Sequence, residues 1–183
     1  MDKSNIEFHY CNNKCCKIEV ISYKNLIPIH HSSPELFNRK AGVFLYNPKE
    51  QRILLVQSRG FFWGLPKGTV EEESIPECAI RELKEETGIT VESKEFLRVI
   101  TVKNKAMYFY IEKDIESPHI QFNDTESKND VNGITWIKLD CLRECLELGT
   151  IVLNQHCRIA FKKFLDITFP DVKFIKVNRK KSK

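Results

Sequence analysis

The sequence lacks any long hydrophobic run. Its longest uninterrupted apolar stretch, Ala106 to Ile111, covers six residues, against the roughly 20 that a membrane-spanning helix requires. A spanning helix is therefore excluded and no membrane partner is expected. The first residues, Met1-Asp2-Lys3-Ser4-Asn5, lack the basic-then-apolar pattern of a secretory leader, so a cytoplasmic location is the expectation. No segment repeats another. A disulfide framework is also missing: the seven cysteines (Cys11, Cys15, Cys16, Cys78, Cys141, Cys145 and Cys157) are odd in number and irregularly placed, and a reducing compartment disfavours bridges. His9, Cys11, Cys15 and Cys16, with His30 or His31, offer zinc-type donors. Their spacing matches no pair of C-x-x-C knuckles, however, and adjacent Cys15 and Cys16 fit one tetrahedron poorly. Unpaired, reduced thiols are expected.

What is present suits one domain of ordinary size: 183 residues, 42% hydrophobic and 30% charged. Charge is unevenly spread. Lysine and arginine number 29 against 25 acidic residues, yet Pro170 to Lys183 alone holds Lys173, Lys176, Arg179, Lys180, Lys181 and Lys183 against Asp171. A basic tail on a nearly neutral body suits a polyanion such as RNA or a membrane surface, and solubilising disorder accounts for such tails equally well.

The pattern divides into an N-terminal extension (1–40), a domain (41–168) and the basic tail (169–183). In the extension only Lys17 to Ser22 reads as a strand, before the breaks at Pro28 and Pro34. Gly42–Tyr46 and Arg52–Gln57 read as a hairpin around Asn47-Pro48-Lys49-Glu50. Phe61 to Gly68 reads as a loop, Pro76 to Thr87 as a helix ended by Gly88, and Val91–Val102 and Ala106–Glu112 as strands. A long polar loop from Asp114 to Gly133 precedes a last strand, Ile134–Lys138. Asp140 is expected to cap a short helix ending near Gly149, and Ile151–Thr168 to carry an amphipathic one.

The chemistry lies in Arg81-Glu82-Leu83-Lys84-Glu85-Glu86-Thr87-Gly88-Ile89. At about 100° per residue, Glu82 and Glu86 fall one turn apart on one helical face, with Glu85 adjacent. Like charges at that spacing destabilise a helix, so three carboxylates in one patch make sense mainly around a cation. Oxygen-only ligands select a hard ion, Mg²⁺ or Mn²⁺.

The stretch from Gly68 to Ile89 resembles the signature of the Nudix hydrolases: a glycine, a glutamate, then seven residues to R-E-U-x-E-E-x-G-U with U aliphatic. Glu73, Arg81, Glu82, Leu83, Glu85, Glu86, Gly88 and Ile89 occupy those places. One departure stands out, because Gly68 and Glu73 enclose four residues where the family has five. The resemblance, over about two-thirds of the chain, implies an α/β (α+β) fold, a mixed β-sheet sandwiched between helices. It implies Glu82 and Glu86 as metal ligands with the Gly68 carbonyl, Glu85 as a further ligand or base, and Glu73–Arg81 as a structural pair. The reaction implied is hydrolysis of a nucleoside diphosphate linked to another group.

For substrate, Trp63-Gly-Leu-Pro-Lys-Gly68 and Cys78-Ala-Ile-Arg-Glu82 are similar to mRNA-decapping Nudix enzymes, which would set Lys67 beside the phosphates. Diadenosine tetraphosphate hydrolases carry a related loop. Asn129-Asp130-Val131 stands where decapping enzymes have an N-E-I-like triplet, so Asp130 is a candidate general base, and an ordinary turn aspartate is an equal reading. Arg158, Lys162 and Lys163 occupy neighbouring helical positions and could guide RNA together with the tail. Phe61, Phe62, Tyr108, Tyr110 and Phe122 are candidates to stack on a cap base, most of them better read as core. Capped RNA is the expected substrate, with dinucleoside polyphosphates or diphosphoinositol phosphates as the alternative. A non-catalytic nucleotide-binding module is the third reading, and the sequence specifies no activator protein.

Overall fold

The computed structural model describes residues 6–21, 39–58, 61–116, 118–119 and 131–171. Asp130, Phe122, His30, His31 and the lysines from Lys173 onward lie outside these.

The strands are β1 (Ile6–Tyr10), β2 (Lys17–Ile21), β3 (Lys40–Asn47), β4 (Arg52–Ser58), β5 (Phe62–Gly64), β6 (Lys67–Thr69), β7 (Arg98–Val102), β8 (Ala106–Glu112), β9 (Val131–Lys138) and β10 (Val152–Leu153). The α-helices are α1 (Ile75–Thr87), α2 (Leu139–Leu148) and α3 (Gln155–Thr168). Among the described residues the strands form one sheet with the order β1-β2-β9-β4-β3-β8-β7, extended by β6 beside β3, β5 beside β4 and β10 beside β5. The β3–β8 and β5–β10 pairs are parallel and the others antiparallel, so the sheet is mixed.

Alternation along the central strands feeds two cores. On β3, Val43 and Leu45 pack with Cys78, Ala79 and Leu83 of α1. Phe44 and Tyr46 point the other way, into a core shared with α2 and α3. Strand β8 divides likewise, with Phe109 and Ile111 on the α1 side and Tyr108 and Tyr110 opposite. Phe164 of α3 centres that second core, its ring 4.7 Å from Phe44 and 4.9 Å from Tyr46. The fold is the expected mixed sheet between helices. The residues before 41 contribute to it, because Ile18, Glu19 and Val20 pair with Thr135, Ile134 and Gly133.

Several local expectations are corrected. The Phe61–Gly68 stretch contains β5 and β6, because Gly42 lets Pro66 and Lys67 approach β3 where a Cβ would overlap both. Helix α2 starts ahead of Asp140: the Leu139 N–H donates to the Gln51 carbonyl at 2.8 Å, Lys138 is the cap residue and Asp140 sits in the first turn. Ile151–Asn154 is not helical. Val152 and Leu153 pair with Phe62 and Trp63, and Asn154 caps α3 by accepting from the Cys157 N–H at 2.8 Å. The strand expected from Val91 begins at Arg98, since a 3₁₀ turn at Ser93–Glu95 comes first.

Candidate active site

Helix α1 is bounded by local chemistry. Ser74 and Glu77 form a reciprocal capping box, Pro76 stands in the first turn, and Gly88 closes the helix at φ 74°, its N–H donating to the Lys84 carbonyl at 2.8 Å. Cys78, Ala79 and Leu83 are buried against the sheet, which turns Glu82, Glu85 and Glu86 away from that core, with Glu82 and Glu86 against β6.

Arg81 organises the patch. Its Nη2 and Nε donate to the two Glu73 oxygens at 2.6 and 2.9 Å, a bidentate pair of the geometry that guanidinium favours. Its Nη1 donates to Glu82 at 2.7 Å and Glu85 at 2.9 Å. Hydrogen bonding from Arg81 holds the Glu73 carboxyl down at about 2, and the same bonding raises the guanidinium further above its ordinary value. Burial raises Glu82, with Arg81 opposing. Strand β6 closes the site from the other side: the Lys67 N–H donates to Glu86 at 3.0 Å, and a Cβ on Gly68 would overlap the Glu82 carboxylate. The loop shorter by one residue therefore still brings Glu73 to Arg81 and Gly68 to Glu82.

The donor set of Glu82, Glu85 and Glu86 is all oxygen and comes from one helix, with Gly68 of the facing strand packed against Glu82. It fits a hard divalent cation.

At the start of β3 lies a cleft of about 230 Å³ lined by Arg39, Lys40, Lys103, Lys105 and Ile75 among others; none of the carboxylates lines it, and Lys40, whose charge acts on Lys67, links it to the site. Register explains the crowding, because Lys40 stands opposite Thr69 on one side and Ala106 on the other. Burial lowers the Lys67 ammonium, opposed by Glu86 and reinforced by Lys40. Burial also lowers His156 of α3, followed by the charges of Lys67, Lys40, Lys105 and Lys103. Nothing local in the sequence marks this cationic group, because Lys103 and Lys105 stand between two strands far along the chain from Lys40.

The basic residues of α3 are divided. Lys163 donates to the Thr101 carbonyl at 2.7 Å, at the cleft's edge, whereas Lys162 pairs with Asp166 at 2.6 Å on the exposed helix face. Arg158 is half-buried. Of the aromatic candidates, Tyr108 and Tyr110 are core residues, while Phe61 and Phe62 are 70% and 56% exposed. Trp63 is buried, so the tryptophan of the W-G-L-P-K-G stretch serves as a core anchor.

A carboxylate-bearing helix packed across from a glycine-bearing strand offers the oxygen donors that metal-assisted hydrolysis requires. The NUDIX domain family matches residues 36–150, and the chain belongs to the Nudix hydrolases, enzymes that depend on a divalent metal. It is 35% identical over 157 residues to protein 111R of Invertebrate iridescent virus 3, a hydrolase by designation, covering 82% of this chain and 87% of that protein. It is 36% identical over 98 residues to the mRNA-decapping protein g5R of African swine fever virus, covering 51% of this chain and 38% of that one. Against mRNA decapping complex subunit 2 of Schizosaccharomyces pombe it is 28% identical over 169 residues, covering 86% of this chain and 20% of the other. The chain thus spans well under half the length of the two decapping relatives. Among solved structures, a bifunctional NMN adenylyltransferase/ADP ribose pyrophosphatase from Francisella tularensis shares the fold at TM-score 0.51 and 19% identity, covering 74% of this chain and 42% of that one. No helix among the described residues is long and apolar enough to cross a membrane.

Proposed function

We propose that the chain hydrolyses the diphosphate linkage of capped RNA, releasing a methylated nucleoside diphosphate and RNA with a 5′ monophosphate. The observation that carries this reading is the cationic cleft at the start of β3, linked to the carboxylate site through Lys40 and Lys67. Arg39, Lys40, Lys103 and Lys105 line it, with Lys163 at its edge. A polyribonucleotide repays each such charge through counterion release, whereas a small substrate needs few of them. The names of two relatives, both mRNA-decapping proteins, support the same substrate class.

In this reading Glu82 and Glu86 hold Mg²⁺ or Mn²⁺ with the Gly68 carbonyl, and Glu85 is a further ligand or the base. Asp130, outside the described residues, is the other candidate base. A bound cation would neutralise charge developing on the diphosphate oxygens and lower the pKa of the attacking water. The chain's own groups do the rest. Arg81 orients Glu82 and Glu85, the Lys67 N–H orients Glu86, and the Lys67 ammonium meets a substrate phosphate. Arg158, Lys162 and the basic tail extend the RNA path, and Phe61 and Phe62, both exposed, offer faces for the cap base. One P–O bond of the diphosphate breaks, the water oxygen joins phosphorus, and its proton passes to the base.

The test uses RNA labelled in its cap, with Mg²⁺ or Mn²⁺, beside an equal concentration of free dinucleoside tetraphosphate, with Glu86→Gln as control. Methylated GDP formed from RNA in a Glu86-dependent reaction, well above turnover of the dinucleotide, is the expected result. Cleavage of the dinucleotide or of a diphosphoinositol phosphate alone would overturn the RNA assignment and leave the chemistry standing.

A further inference from the structure

The turn joining β1 to β2 brings three cysteines together. The Cys11 N–H donates to the Cys16 carbonyl at 3.1 Å and the Lys14 N–H to the Cys11 carbonyl at 2.8 Å. Lys14 itself adopts φ 54°, a left-handed conformation that tightens the reversal. The consequence is that Cys15 and Cys16, neighbours in the chain, place their sulfurs 3.6 Å apart on one side of the turn, with Cys11 Sγ 3.6 Å from Cys15 Sγ. A fourth cysteine comes from far along the chain. Cys141, in the first turn of α2, sets its sulfur 3.4 Å from that of Cys15, and all four sulfurs lie within 4.8 Å of one another. His9, the nearby imidazole, is turned toward Glu7 at 3.4 Å.

We infer that Cys11, Cys15, Cys16 and Cys141 form a structural zinc site that clips the β1–β2 hairpin to helix α2. The spacing suits it. A Zn–S bond of about 2.3 Å places tetrahedral ligand sulfurs about 3.8 Å apart, and the cluster brackets that value, whereas a disulfide needs about 2.05 Å and all four cysteines are free. Donors also converge on sulfur as they do around metal-bound thiolates. The Lys138 N–H points at Cys16 Sγ at 3.4 Å and Arg52 Nη1 approaches it at 3.7 Å. Arg52 is held there by its bonds to Glu50 at 2.7 Å and to the Trp136 carbonyl at 2.8 Å. The first turn of α2, which carries Cys141, adds a positive dipole end that favours an anionic cluster. Four thiolates are soft donors, which select zinc and reject the hard ions suited to the carboxylates of α1.

Three of the cysteines are buried and Cys15 is exposed, so the site sits at the surface with an entry for the ion. Its structural benefit is plain from the pairing. Three register pairs join β2 to β9, and among the described residues β1 pairs with β2 alone. A metal bridging Cys16 to Cys141 closes a long loop and secures that edge.

The full chain, made without a polyhistidine tag and dialysed against metal-free buffer, would be assayed for zinc by mass spectrometry. One zinc per chain is expected in the wild type and in Glu86→Gln. Cys141→Ser and Cys11→Ser should lose at least about tenfold of it, and Cys145→Ser, one turn further along α2 and outside the cluster, should keep it. Zinc-edge X-ray absorption on the wild type, which requires no variant to fold, should give four sulfur scatterers at about 2.3 Å. A wild type that holds no stoichiometric zinc even after reduction and zinc addition would overturn the assignment. So would a zinc shell of nitrogen or oxygen, or a disulfide between these cysteines in the freshly purified protein.

Discussion

The backbone N–H of Lys67 donates to the Glu86 carboxylate across 3.0 Å, and the next residue, Gly68, lies against Glu82 one helical turn away. Two consecutive residues of a short strand thus define the positions of two carboxylates on a helix. The arrangement makes β6 a template for the site.

Glu86→Gln tests the charge of that carboxylate apart from its packing. The amide oxygen still accepts from the Lys67 N–H, so the packing is kept and the melting temperature should fall by no more than about 4 °C, the cost of removing one half-buried charge beside Lys67. Hydrolysis should fall by about 10² or more, because a neutral amide is a poor partner for a hard cation. Thermal melting and a product assay on one preparation would show both.

Gly68→Ala and Gly42→Ala should separate function from stability. A methyl at Gly68 meets the end of a flexible side chain, Glu82, so the fold should survive and activity should drop about 10²-fold. At Gly42 it meets the Pro66 carbonyl and the Lys67 backbone, which cannot swing aside. That variant should lose about 1–3 kcal/mol of stability, measured by denaturant unfolding.

The Glu73–Arg81 pair predicts an acid response of known sign. Glu73 titrates at about 2 in the fold, below the ordinary value near 4.3 for an unfolded chain. Its contribution is therefore complete above the unfolded value and is lost as pH falls through about 2. Glu73→Gln should flatten the stability profile in that window. Arg81→Lys keeps the charge but loses the fork that spans three carboxylates, and activity should fall about 10- to 100-fold.

Replacing Lys103 and Lys105 together by glutamine tests the cleft. If both contact single-stranded RNA, the salt dependence of RNA binding should lose about 0.7 log–log slope for each contact. Hydrolysis of a free dinucleotide should change far less. Equal losses on both substrates would remove the argument for an RNA path here.

Phe164→Ala should cost about 3–5 kcal/mol, because this fully buried ring packs on Phe44, Tyr46 and Tyr110 at once. Chemical denaturation would measure it.

The active-site helix was legible in the sequence nearly residue for residue. Ser74, Pro76, Glu77 and Gly88 bound it through interactions spanning four residues or fewer, and the spacing of Glu82, Glu85 and Glu86 needs only helical geometry. The division of β3 and β8 into two faces was equally local, being the alternation of a strand. The sequence by itself therefore determined the Nudix signature, the layers of the fold and the placing of three carboxylates on α1. Other features depended on distance. Lys40 meets Lys105 only because β3 and β8 lie parallel, in register from Lys40 to Ala106. Asp140 cedes the start of α2 because the Gln51 carbonyl is already there. Cys141 joins Cys11, Cys15 and Cys16 across a separation that no spacing rule covers. Only the tertiary structure decided these, since a contact between remote segments is set by the packing of whole strands and helices, and the residues that benefit carry no local mark of their partners.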